Sequence, residues 1–126
     1  MKNLDQIRAK NALEAAEQPE KFAGANNGDI VKKVPPMIQQ NGLLGTLAFA
    51  IDGNEGYAGI MKAVIKHLAS KELYPEIRNA FTSEVNLLNQ FTKYLCTKDA
   101  AYLQALTTET LSYLNFLRRY AGKGKN

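Results

Sequence analysis

The chain alternates long helical-period segments with short polar breaks, and β-type alternation is absent. Ala, Leu, Lys, Glu and Gln fill the long segments, which suits helices. A first helix is predicted over residues 4–17, with Asn3 as N-cap and Gln6 three positions on. Ala9, Ala12, Leu13 and Ala16 form its small-residue stripe, and Pro19 ends it. Asn26-Asn27-Gly28 is a turn, after which Asp29 caps a second helix over 30–40. Pro35 and Pro36 fall inside that span and either kink or split it. Asn41 and Gly42 tolerate a left-handed stop. The run 43–51 is apolar almost all round, which predicts a third helix buried on most sides.

After a loop at 52–56, the stripe Tyr57, Ile60, Met61, Val64, Ile65 and Leu68 predicts a helix over 57–70. Lys62 and Lys66, four apart, share its opposite face. Pro75 starts a short helix ending at 80 or 81, and Thr82 or Ser83 caps the next, striped by Leu88, Phe91 and Leu95. Thr97 or Asp99 caps the last helix, whose stripe is Leu103, Leu106, Thr110, Leu114, Leu117 and Ala121. Leu111 and Phe116 widen its apolar arc, which suits a central helix or a partner surface. The fold class is therefore all-α: one compact bundle of about five to six helices spanning 1–126, with 122–126 a frayed tail. Leu47, Phe49, Leu114 and Leu117 are expected in the core.

Composition narrows the chemistry. At 126 residues the chain can bury its own core. No apolar run approaches membrane length and no signal peptide opens the chain, so the expected compartment is the cytoplasm. Cys96 is the single cysteine, which removes disulfides and cysteine metal clusters; it is expected to be a small buried apolar residue. His67 is the single histidine and has no partner in metal-ligand or acid–base spacing, so it is expected to be structural or simply exposed. Gly53, Gly56 and Gly59 lack the strand and Gly-Lys-Ser/Thr context of a phosphate loop. Gly42 and Gly45 lack the strands of a KH domain. With no acidic cluster either, no enzyme, metal or cofactor is expected.

The net charge of +4 mildly favours a polyanion. Lys32, Lys33, Lys62, Lys66, Lys98, Arg118 and Arg119 come from four helices, and Arg8 and Lys10 from a fifth. Where several converge they make a track for a phosphate backbone, without sequence preference. Taken singly, each equally serves to solvate its own helix. Arg119 lies opposite its helix's apolar stripe and is expected to be exposed; Arg118, at the flank, can also brace a neighbouring helix.

Three blocks carry a resemblance: Arg8 to Glu14, Pro35 to Phe49 with its Ile-Gln-Gln-Asn-Gly-Leu and Leu-Ala-Phe, and a C-terminal block from Tyr102 to Ala121 containing Phe116-Leu117-Arg118-Arg119-Tyr120. In their order and spacing they resemble the small helical subunit of type III-B CRISPR RNA-targeting complexes, the Cmr family. Phe116 stands where that family commonly has Trp. The resemblance implies a non-catalytic subunit, stacked in several copies as an inner filament. Its partners would be other Cmr subunits, copies of itself, and the backbones of guide and target RNA, with no membrane or small-molecule substrate. Cleavage would belong to another subunit and specificity to base pairing. The alternative is a helical adaptor that binds only protein through the apolar arc of the last helix.

Overall fold

The computed structural model describes residues 3–18, 29–81 and 85–123. Among them are six helices and no strand: α1 (Leu4–Ala16), α2 (Asp29–Ile51), α3 (Glu55–Leu68), a 3₁₀ turn (Pro75–Ala80), α4 (Leu87–Cys96) and α5 (Ala100–Lys123). The all-α expectation holds.

The start of α1 is chemically closed. Asn3 Oδ1 accepts from the Gln6 amide and Gln6 Oε1 accepts from the Asn3 amide, both at 2.9 Å, which completes a capping box. The docked face differs from the expected alanine stripe. Arg8, Asn11, Ala12 and Ala15 share it at helical spacing, whereas Leu13 is 46% exposed. Polar partners on α3 and α5 claim Arg8 and Asn11 and so fix the roll of the helix. Pro19 and the turn expected at 26–28 lie outside the described residues.

The two predicted helices 30–40 and 43–51 are the two arms of α2. Pro35 and Pro36 sit within the first arm and do not split it; the break is at Gly42 (φ 77°, ψ 169°). That conformation is essentially restricted to glycine. A Cβ at Gly42 would meet nothing within 4 Å, so torsional strain is the only obstacle to a side chain. Gly42→Ala should therefore cost ~1–3 kcal/mol with no steric contribution. Urea unfolding would check this, and an unchanged midpoint would mean the chain relaxes out of that conformation.

The second arm corrects an expectation. Leu43, Leu47 and Ala50 are buried, but Ala48, Phe49 and Ile51 are exposed, Phe49 by 42%. Phe49 lies roughly 200° round the helix from Leu47, on the face that the bundle does not cover. Its ring meets Tyr57 edge-on at 4.9 Å.

Gly53 (φ 92°) turns the chain into α3, which buries Ile60, Met61, Val64, Ile65 and Leu68 and leaves Lys62 and Lys66 exposed. Pro75 opens the 3₁₀ turn, as expected, and Ile77 is buried there. α4 buries Leu88, Phe91 and Leu95. It starts at Leu87 after Asn86 in a left-handed conformation, and no side chain caps it. Thr82 and Ser83 lie outside the described residues. Cys96 is exposed, contrary to expectation, because it sits roughly 100° round from Leu95 on a two-turn stripe that ends there.

Asp99 caps α5: its Oδ1 accepts from the Tyr102 amide at 2.9 Å. Leu106, Thr110, Leu114 and Leu117 are fully buried, with Leu103, Leu111, Phe116 and Ala121 half-buried around them. The wide arc of α5 is thus spent inside the fold: α5 is the central helix, packed against α1, α2 and α3. Its helical run continues to Lys123, two residues into the expected tail; residues 124–126 lie outside the described set.

Candidate nucleic-acid interface

Lys62 and Lys66 follow from simple arithmetic. Four residues apart on α3, and off its buried stripe, they project from the same exposed face. Neither makes an ion pair with a described side chain. They border a cleft of about 680 Å³ between α1, α3, the 3₁₀ turn and the start of α4. Arg78, which sequence reasoning did not single out, borders the same cleft. Its Nε donates to the Ala69 carbonyl at 3.2 Å, which anchors the guanidinium and leaves its terminal nitrogens without a described partner. Three cationic residues thus line one cleft. Glu14 and Glu17 stand on the α1 wall opposite.

The other candidates are dispersed. Lys32 and Lys33 are exposed on the first arm of α2. Lys10 sits 3.6 Å from Glu14, the same carboxylate that borders the cleft. Arg119 is exposed, as expected. Arg118 is also exposed; rather than bracing a neighbouring helix, its Nε reaches back to Asn115 Oδ1 at 3.4 Å within α5. Lys98 lies over two tyrosine rings, 4.9 Å from the centroid of Tyr94 and 5.5 Å from that of Tyr102. The two hydroxyls are 2.7 Å apart, and Tyr102 also donates to Glu76 at 2.9 Å. Burial and these hydrogen bonds push the Tyr102 phenol well above its ordinary range.

Arg8 is engaged on all three nitrogens. Nε and one terminal nitrogen donate to the two Glu109 oxygens at 2.8 and 2.7 Å, and the other donates to Asp5 at 2.9 Å. This bidentate fork, joined by the Asp5 contact, holds the guanidinium more firmly charged than an exposed arginine. Glu109 in turn sits 2.9 Å from His67 Nε2, and His67 Nδ1 is 2.9 Å from Asn11 Nδ2. With the Asn11 amide donating to Nδ1, Nε2 carries the proton and donates to Glu109. Tyr113 stacks on the imidazole at 4.2 Å, and burial pushes its hydroxyl well above the usual range. Burial alone would raise the Glu109 carboxyl, but the hydrogen bonds from Arg8 and His67 and the charge of Arg8 win and hold it at about 2.

His67 therefore does have a carboxylate beside it, which the local sequence pattern did not reveal. It is 1% exposed, and both ring nitrogens are already bonded, so neither is free to take a proton from a substrate or to bind a metal. Its role in the fold is structural. Among the described residues, no three His, Cys, Asp or Glu side chains come together as a potential metal site. Nor is any described helix long and apolar enough to cross a membrane.

The family model described as CRISPR-associated protein (Cas_Cmr5) matches residues 4–123. The chain belongs to that family. The match begins at the first residue of α1 and ends at the last of α5, so every described helix lies within the Cas_Cmr5 domain. It bears out the resemblance carried by the Arg8, Pro35 and Tyr102 blocks, all of which it contains. No curated protein and no solved structure matches this Cas_Cmr5 chain.

Proposed function

We propose that this Cas_Cmr5 chain is a non-catalytic structural subunit of a type III-B CRISPR RNA-targeting complex. Copies of it stack as an inner filament and touch the backbones of guide and target RNA without reading bases. The observation that carries the reading is the exposed pair Lys62 and Lys66, which line one cleft with Arg78 and form no ion pair with a described side chain, although Glu14 and Glu17 border the same cleft. Lysine ammonium groups bind phosphate as point charges and report no base identity. A passive role also suits His67, whose ring nitrogens are spent on Asn11 and Glu109.

The free protein should bind unrelated RNA sequences about equally, with affinity falling as salt rises. Counterion release sets the slope at about −0.7 to −0.9 per neutralised phosphate, depending on strandedness. Lys62→Glu/Lys66→Glu should weaken all the RNAs alike and flatten that slope while circular dichroism stays unchanged. RNA incubated with the wild-type chain and Mg²⁺ should remain intact. A double variant that assembles and binds RNA like wild type would remove α3 from the interface. The adaptor reading keeps one supporting observation, the exposed Phe49 and Ile51, and wins if wild type makes no RNA contact even within an assembled complex.

A further inference from the structure

Lys98 is set apart by the aromatic rings beneath it. It stands exposed between α4 and α5, with its ammonium 4.9 Å from the Tyr94 centroid and 5.5 Å from that of Tyr102. The two ring planes meet at 71°, so they form the walls of an open notch. Hydrogen bonds hold the walls in place. Tyr102 spends its proton on Glu76 of the 3₁₀ turn, so Tyr94 donates to Tyr102. Phe91, fully buried, lies near-parallel to Tyr94, and Tyr74 meets the Tyr102 ring edge-on at 5.8 Å. Tyr94 and Tyr102 are only half-buried. The group lying over both is the tip of an exposed, flexible side chain, which can swing away. Lys98 forms no ion pair with a described side chain, and none of these three residues lines the Lys62–Lys66 cleft.

We infer that this notch seats one unstacked nucleotide of a single-stranded RNA, with its base on the Tyr94 ring, edge-on to Tyr102, and its phosphate on Lys98. The inference rests on the RNA-contact reading above and adds a contact that is not to backbone. In the free chain the ammonium is held there by the ring quadrupoles. A phosphate is a stronger, charge-assisted partner. Drawing Lys98 onto it uncovers the ring face for the neighbouring base, so one nucleotide supplies both halves of the exchange. The hydroxyl chain through Tyr102 to Glu76 fixes the ring planes beforehand, which lowers the ordering cost of binding. Every base has a π-face, so stacking adds affinity and keeps the indifference to sequence. A basic side chain of a protein partner fits the same walls, but it would displace one cation with another. A nucleotide instead brings Lys98 a counterion, in keeping with the net charge of +4.

Fluorescence anisotropy of a labelled short single-stranded RNA, and of an abasic strand with the same number of phosphates, tests this on the full chain over a salt series. Wild type should bind the intact strand at least roughly fivefold tighter, the low end for stacking of one base. Tyr94→Leu should weaken the intact strand by a similar factor while leaving the abasic strand and the salt slope unchanged. Tyr94→Phe keeps the ring and the Tyr102–Glu76 bond, and should bind like wild type. Lys98→Ala should act in the complementary way, reducing the salt slope by about 0.7, the share of one single-strand phosphate. Circular dichroism should match wild type for all three variants. Tyr94→Leu that weakens both strands alike, or neither, overturns the notch. So does a wild type that binds the two strands equally. In either case the notch falls to a basic side chain of a protein partner, and Lys62→Glu/Lys66→Glu still flattens the salt slope if the backbone reading holds. A wild type that contacts no RNA even within an assembled complex removes both.

Discussion

Glu109→Ala should destabilise the protein by ~3–5 kcal/mol, the usual cost of removing one partner from a buried ion pair. The Glu109 side chain is 8% exposed and satisfies Arg8 through two bonds and His67 through a third. Its removal leaves a guanidinium at 17% exposure with only Asp5, itself largely in solvent, and leaves an imidazole N–H with no acceptor. Against a total stability of ~5–15 kcal/mol the change is large, and chemical denaturation would show it directly. The same residue shapes the acid limb of stability. Its carboxyl lies at about 2 in the fold against 4.5 ordinarily. A group whose pKa is depressed by folding contributes stability above its unfolded value and loses it as pH falls through the folded value. That contribution is about 3 kcal/mol, fully present above about pH 4.5 and gone near pH 2. Glu109→Gln should flatten this limb. A stability profile between pH 2 and 5 identical to wild type would show that the carboxylate does not carry the contact.

Leu114→Ala should cost ~2–5 kcal/mol through lost burial and the cavity left behind. Leu114 has no exposed surface and lies mid-way along the helix that α1, α2 and α3 all pack against, so little can collapse into the space. The lost methyls face several elements at once, which favours the upper part of that range. A melting temperature within error of wild type would mean that the inward face of α5 is misassigned.

Features with local signatures were legible in the sequence. The stripe from Leu106 to Leu117 needs only the helical period, the capping box only two residues three apart, and the 3₁₀ turn only Pro75. The same holds for the solvent face of Lys62 and Lys66. Failures arose where tertiary cover decides. The stretch 43–51 is apolar all round, and nothing local says that Phe49 is the residue left uncovered. Side-chain hydrogen bonding across the fold was the least visible. Arg8 and Glu109 stand 101 positions apart, and His67 and Glu109 stand 42 apart. One signal was available: Glu109 lies three residues after Leu106 and four before Tyr113, so a carboxylate sits on a buried face and must find partners. Arg78 drew no attention because its position beside the cleft depends on how the 3₁₀ turn folds back against Ala69.

The clasp between Arg8 and Glu109 also bears on the order of assembly. The first described helix finds its charged partner on the last one described. Without that partner α1 offers mainly the small apolar surface of Ile7 and Ala12, while Leu4 and Leu13 stay 46% exposed even in the fold. Closing so long a loop is entropically unfavourable, and contacts distant in sequence form slowly. α3 offers α1 a neutral contact through Asn11 and His67, but the charged partner of Arg8 comes only with α5. Docking Arg8 on Glu109 spans 101 positions of chain, so it is expected among the later contacts to form.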